Sequence, residues 1–163
     1  MGTLSTGSED VFIKVHIDPV FRVDYDTSST GSRVSIDALA YVSDTVLADI
    51  KNEVKIIRSL MHDHIVLYYN EIDTNGIYGY SMEYCKGGTL HHYIRTMGAL
   101  SEEELKILMR QMLSALEYLA SRHIVHRDIK TANILIVKKD YYKLGDFGSS
   151  VELNVNVLGV TNS

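Results

Sequence analysis

Five residues that carry charge or bind charged groups lie within eight positions of the sequence. They are His126, Arg127, Asp128, Lys130 and Asn133, and apolar residues flank them on both sides. Such a cluster could act chemically on an anionic substrate, or it could supply only the groups that cap the turns of a loop. The rest of the sequence has to decide between these two interpretations.

The elements around this cluster follow from the spacing of apolar residues. Short segments rich in alternating apolar residues predict strands over 11–17, 21–26, 33–42, 65–72 and 76–85, and a hairpin of 133–137 with 141–145. Helical spacing predicts helices over 43–62, 89–97 and 101–122. Strands, a helix, more strands and then helices with one late hairpin make an α+β layout.

Composition and charge narrow the class of protein. The 163 residues suit one domain, and a hydrophobic content of 45% allows a packed core. The formal net charge of −5 argues against a nucleic-acid or membrane-surface binder. A single cysteine, Cys85, fits a reducing intracellular setting, cytoplasmic or nuclear. No apolar run is long enough to span a membrane.

Several motifs in the correct order resemble those of protein kinases. Residues 126–133, HRDIKTAN, resemble the kinase catalytic loop, and residues 146–148, DFG, resemble the metal-binding motif one hairpin later. Residues 82–88, MEYCKGG, resemble the hinge between kinase lobes, and Glu53 resembles the glutamate of helix C. MEYC-x-GG and KLGDFG make the sequence most similar to NIMA-related serine/threonine kinases.

The resemblance implies roles in phosphoryl transfer, where catalysis is mostly positioning and charge neutralisation. Asp128 would accept or orient the proton of the substrate hydroxyl, and Lys130 would contact the γ-phosphate. Asn133 and Asp146 would hold magnesium, which prefers oxygen ligands. Arg127 would meet a phosphorylated activation loop.

The nucleotide site implied by the resemblance is incomplete. Its lining residues would be Met82, Glu83, Cys85 and Leu135. Glu53 would pair with the lysine of a V-A-I-K strand, which falls by counting on residues 34–37, VSID, so that Asp37 stands in place of lysine. Two carboxylates roughly 4 Å apart repel by about 4 kcal/mol at an effective dielectric near 20.

Other arrangements around Glu53 remain open. One carboxyl group could stay protonated, the helix could swing outward, or Asp37 could face solvent while Glu53 pairs with Arg58. A cation could instead come from Lys14 or Arg22 on nearby strands.

The glycine-rich loop that covers the phosphates in kinases is expected within residues 17–26. No glycine lies between Gly7 and Gly31, and Val20 and Phe21 would put side chains where open backbone is needed. Weak or absent binding of Mg-ATP is therefore expected.

The expected domain is a partial kinase fold over 11–163, after a disordered lead at 1–10. It comprises a small lobe at 11–82, a hinge at 83–88 and the start of the large lobe at 89–163. The chain ends 15 residues after Gly148, before an A-P-E motif, which predicts truncation and an uncovered apolar stripe on helix 101–122.

These observations predict a serine/threonine kinase-like domain with impaired catalysis. It would act as a pseudokinase-type binding or regulatory module on another protein, such as a full-length kinase, and not on nucleic acid or membrane. The alternatives are an active serine/threonine kinase with a relocated lysine and a non-functional fragment.

Overall fold

The computed structural model describes four segments of the chain, residues 2–6, 9–17, 44–74 and 77–153. The chain divides into two compact units, of which the first is Met1–Arg58 with Leu67–Tyr84 and the second is Ser59–Val66 with Cys85–Ser163. The strands predicted at 21–26 and 33–42, together with Asp37, Val20, Phe21 and Arg22, lie outside the described residues. The α+β layout is confirmed.

A four-stranded antiparallel sheet forms most of the first unit. Its strands are β1 (Gly2–Thr6), β2 (Glu9–Ile17), β3 (Tyr68–Thr74) and β4 (Ile77–Glu83), in the order β1-β2-β4-β3. The expected disordered lead is wrong for the residues in β1, which pair with β2 from Gly2 opposite Ile13 to Thr6 opposite Glu9. Without β1, the backbone of β2 would form an unpaired edge.

Helix α1 spans Asp44–Ile57 and packs on β4. It ends five residues before the predicted boundary at residue 62, and Met61, predicted on its apolar stripe, is 80% exposed. The backbone N–H of Met61 donates to the hydroxyl of Tyr118 at 3.0 Å instead of continuing the helical ladder. The stripe itself is correct up to Ile57, which is fully buried.

Two capped helices open the second unit. Helix α2 spans Leu90–Met97, and the side chain of Thr89 accepts from the N–H of His92 at 3.2 Å. Helix α3 spans Glu102–Ser121 and begins with the predicted capping box. Ser101 Oγ accepts from the N–H of Glu104, and the Glu104 carboxylate accepts from the N–H of Ser101.

Short strands complete the second unit. They are β5 (Ile124–Val125), β6 (Ile134–Lys138), β7 (Tyr141–Leu144) and β8 (Val151–Glu152), and a 3-10 turn at Thr131–Asn133 precedes β6. The predicted hairpin is confirmed as the antiparallel pair β6–β7. Pairing of β8 with β5 was not predicted, because two residues are too few to show a period.

Helix α3 lies against β7 and β5. Its buried face consists of Leu108, Met112, Ala115 and Leu119. Leu105, Met109 and Leu113 are exposed and lie four residues apart, so the predicted apolar stripe is only partly covered. We call these three side chains the exposed row of α3.

Gln111 ties α3 to the hairpin. Its side-chain amide donates to the carbonyl oxygen of Asp140 at 2.8 Å and accepts from the N–H of Tyr142 at 2.8 Å. Two backbone groups at the turn of the hairpin are thus bonded to one side chain of the helix.

Within the described segments, no helix has the length and apolar character needed to cross a membrane.

Candidate active site

The three residues predicted to be catalytic meet in the loop between β5 and β6. Lys130 Nζ lies 2.7 Å from Asp128 Oδ2. Asn133 Nδ2 donates to the same oxygen at 3.0 Å and to the backbone oxygen of Asp128 at 2.8 Å. The loop therefore holds the Asp128 carboxylate between a cation and an amide.

This arrangement favours the ionised form of Asp128. The hydrogen bond from Lys130 and, more weakly, that from Asn133 lower the pKa of the Asp128 carboxyl group below its ordinary value of 3.8. The same ion pair raises the pKa of Lys130. At neutral pH the loop thus presents a carboxylate that can accept a proton or orient a hydroxyl group.

Replacing Lys130 with methionine should raise the pKa of Asp128 toward its ordinary value, because the largest cause of the depression is removed. A carboxyl group whose pKa is depressed in the folded state stabilises the fold at pH values above its ordinary pKa. This contribution is lost as the pH falls through the folded-state pKa. Carboxyl NMR titration of Asp128 would measure the shift. Lys106→Met is the matched control, since Lys106 pairs with Glu102 and Glu103. An unchanged pKa in Lys130→Met would contradict the assignment.

The buried side chain of His126 bonds the catalytic loop to the backbone at Gly145. Its ring is buried and its Nε2 lies 3.0 Å from the carbonyl oxygen of Gly145, while Nδ1 accepts from the N–H of Asp128. These partners place the ring proton on Nε2. Burial lowers the pKa of His126, so the ring is neutral at pH 7. The prediction that His126 is a buried ring bonded to backbone is confirmed.

The DFG segment lies beside the catalytic loop. The ring of Phe147 is fully buried and meets the ring of His126 edge-on, with centroids 4.8 Å apart. The N–H of Gly145 donates to the carbonyl oxygen of Asn133 at 2.8 Å. Asp146 is exposed, and its charge contributes to the raised pKa of Lys130.

Two residues of the site have left-handed backbone conformations. Asp146 has φ 57°, which aspartate tolerates comparatively well, whereas Arg127 has φ 64° without that advantage. The Arg127 side chain donates to the carbonyl oxygen of Ser149, and Ser150 Oγ donates to that of His126. These bonds hold the loop and the segment after DFG together despite the strain.

The predicted magnesium ligands fit that ion in their chemistry. Asp146 offers a carboxylate, and the amide of Asn133 uses its nitrogen for Asp128, which leaves the Oδ1 oxygen as its ligand atom. Magnesium is usually held by one or two protein oxygens together with waters and substrate phosphates. Across the described part of the chain, no group of three or more His, Cys, Asp or Glu residues forms a separate metal site.

The residues predicted to contact the nucleotide are divided between the units. Met82 and Glu83 end β4 in the first unit, where the N–H of Glu83 donates to the carbonyl oxygen of Leu67 at 2.8 Å. Cys85 is buried in the second unit, and Leu135 lies in β6 there. The hinge predicted at 83–88 thus contains the boundary between Tyr84 and Cys85.

Glu53 points inward, as predicted, and is 3% exposed. Its Oε1 atom accepts a hydrogen bond from the hydroxyl of Tyr80 at 2.8 Å. Arg58, considered as a partner for Glu53, lies 3.9 Å from Glu71 instead.

The register of β2 on β4 adds a residue to which sequence reasoning gave too little weight. Lys14 lies opposite Tyr80, and Phe12 lies opposite Met82. A signal was present in the sequence, because VFIK at 11–14 matches V-A-I-K at three of four positions. Counting back from Glu53 placed the motif at residues 34–37 instead, because the count assumed no long insertion between strand and helix.

Comparisons with known proteins show what the sequence is similar to. A model of the protein kinase domain matches residues 27–161. A probable serine/threonine-protein kinase of Dictyostelium discoideum is 37% identical over 113 residues, covering 69% of this chain and 23% of that protein.

Two further relatives match over similar lengths. The SNF1-related protein kinase catalytic subunit alpha KIN12 of Arabidopsis thaliana is 44% identical over 102 residues, covering 62% of this chain and 20% of that protein. Serine/threonine-protein kinase Nek9 of Mus musculus is 39% identical over 118 residues, covering 71% of this chain and 12% of that protein. The chain spans less than a quarter of the length of these three relatives.

Proposed function

The chain belongs to the protein kinase domain family, and we propose that it serves ATP-dependent phosphorylation of serine and threonine hydroxyls, with Lys14 as its strand lysine. The observation that carries this proposal is the pairing of Lys14 with Tyr80, the residue whose hydroxyl contacts Glu53. The serine/threonine type is supported by Lys130 beside Asp128 and by the named relatives.

Lys14 suits the role because of its place in the sheet. Residues directly opposite each other in an antiparallel pair share a face, with Cβ atoms about 4.5–5.5 Å apart. Residue 14 therefore shares the face of Tyr80, the residue on β4 that contacts α1 through Glu53. The family pairs a strand lysine with the helix glutamate to hold the α- and β-phosphates.

This assignment changes how the glycine-free stretch is interpreted. In the family, the glycine-rich loop precedes the lysine strand. With Lys14 as the lysine, the residues between Ile17 and Gly31 follow that strand, so their lack of glycine has no bearing on the phosphate loop.

The described catalytic loop would supply the chemistry. The Asp128 carboxylate would orient the attacking hydroxyl, and Lys130 would neutralise charge that develops on the transferred group. When magnesium is bound at Asn133 and Asp146, it would neutralise further charge on the phosphates.

A second candidate is the impaired, pseudokinase-type module. It is favoured by the family match, which begins at residue 27 and so includes Asp37 but not Lys14. In that role the exposed row of α3 would offer an apolar surface to a protein partner, such as a full-length kinase. Either function would be intracellular, and the match to Nek9 supports the NIMA-related branch.

A thermal scan with and without Mg-ATP would separate the two candidates. Ligand at about 100 times Kd adds roughly 2.7 kcal/mol to folding stability. We expect a nucleotide-dependent rise in Tm for the wild type and for Asp37→Asn, and its loss in Lys14→Met. Lys139→Met, at an exposed position in the β6–β7 turn, is the matched control.

The opposite pattern would support the second candidate. If the wild type shows no rise at millimolar nucleotide and Asp37→Lys creates one, position 37 holds the lysine site and the Lys14 assignment is wrong.

A further inference from the structure

Tyr80 forms a contact that no sequence motif indicated. The structure assigns Tyr80 as a positioning residue that holds the Glu53 carboxyl group in place from β4. The part of this inference that concerns nucleotide rests on the proposed function, whereas the part that concerns α1 does not.

Glu53 needs polar partners where it lies. It is 3% exposed, and the neighbouring residues Ile50, Val54 and Ile57 on the same helix are also buried. Burying a carboxyl group is costly unless hydrogen bonds replace the water that it loses. The inward position of this part of α1 therefore depends on the groups that bond to Glu53.

Tyr80 supplies one of those bonds through its hydroxyl group. Its side chain is fully buried, the hydroxyl donates to Glu53 Oε1 at 2.8 Å, and its ring lies 6.0 Å from the ring of Tyr68. Phenylalanine would keep the buried ring and its contact with Tyr68. A change from Tyr80 to phenylalanine thus removes the hydroxyl group and its bond to Glu53 and keeps the buried ring.

The position of Tyr80 links this bond to the nucleotide clamp. Tyr80 lies opposite Lys14 in the sheet, so the hydroxyl fixes Glu53 on the face that residue 14 shares. On the proposed function, the strand position opposite Tyr80 is the one that supplies the lysine of the clamp. Tyr80 would keep Glu53 oriented whether or not the lysine is engaged with phosphate.

Hydrogen exchange of the amides of α1 tests the structural part. We expect Tyr80→Phe to speed exchange over Ile50–Ile57 by about tenfold or more, the effect of removing one hydrogen-bond partner from a buried polar group. Tyr68→Phe is the matched control, since the same atom is removed from a neighbouring ring without a bond to Glu53. In the Glu53→Leu background, Tyr80→Phe should have little effect.

Equal exchange in Tyr80→Phe and Tyr68→Phe, or an effect that persists in the Glu53→Leu background, would overturn the assignment. If a variant fails to fold, the wild type suffices: a buried, bonded hydroxyl proton of Tyr80 should give an NMR signal with contacts to α1. Absence of that signal beside a visible signal from another buried hydroxyl that donates a hydrogen bond, such as that of Ser150, would also count against it.

Nucleotide affinity tests the functional part. We expect Tyr80→Phe to raise the Kd for Mg-ATP by roughly tenfold, because a loosened carboxyl group no longer positions the lysine, while Tyr68→Phe leaves the Kd unchanged. An unchanged Kd in Tyr80→Phe overturns this part. If the wild type binds no Mg-ATP, the proposed function fails, and the exchange measurement still decides the role of Tyr80 on α1.

Discussion

Asp128→Asn is expected to lower the rate of phosphoryl transfer to serine and threonine peptides by about 10²–10⁴-fold, the usual contribution of a positioned acid–base group. Asparagine keeps the side-chain oxygen that accepts from Lys130 and Asn133, so the loop should keep its shape. What is lost is the negative charge that orients the attacking hydroxyl. Transfer of radiolabelled γ-phosphate to a mixture of peptides would measure the rate.

The control for this experiment is Asp73→Asn, an equal change at an exposed position of β3 in the other unit. It should leave the rate unchanged. Equal rates for wild type and Asp128→Asn would mean that Asp128 does not act on the hydroxyl. No transfer by the wild type, together with intact folding, would support the binding module instead.

Phe147→Ala should destabilise the second unit by about 3–5 kcal/mol, the range for truncating a large buried aromatic side chain. Phe147 is fully buried, and its edge-on contact with His126 is lost as well. Because the free energy of unfolding falls by about 1–3 kcal/mol per molar urea, the urea concentration at the unfolding midpoint should fall by more than roughly 1 M. Urea unfolding followed by circular dichroism would measure it.

Met97→Ala serves as the comparison, because Met97 is exposed at the end of α2 and its truncation removes little buried surface. Its midpoint should stay close to that of the wild type. Similar midpoints for the two variants would show that the contact between Phe147 and the catalytic loop adds little to stability.

The local parts of the site could be predicted because their signals are short-range. The capping box of α3 and the β6–β7 hairpin follow from neighbouring residues, and both are confirmed. The grouping of Asp128, Lys130 and Asn133 within one loop follows in the same way. In each case the physical interaction joins residues that are close in sequence.

The parts that sequence reasoning missed depend on pairing between distant segments. The register that places Lys14 opposite Tyr80 joins residues 66 positions apart, and nothing local specifies it. The hydrogen bond between the Met61 N–H and the Tyr118 hydroxyl, beyond the end of α1, likewise joins residues 57 positions apart. Strand β1 is rich in serine and threonine, so it lacks the alternating apolar pattern that marks a half-buried strand.

The two bonds of Gln111 have a consequence for how the second unit comes apart. By bonding Asp140 in the turn and Tyr142 in β7, this side chain ties the helix to the turn and the second strand of the hairpin. Local opening of the turn must then break contacts with the helix as well, which raises its free energy. Hairpin and helix should therefore behave as a single foldon in native-state exchange.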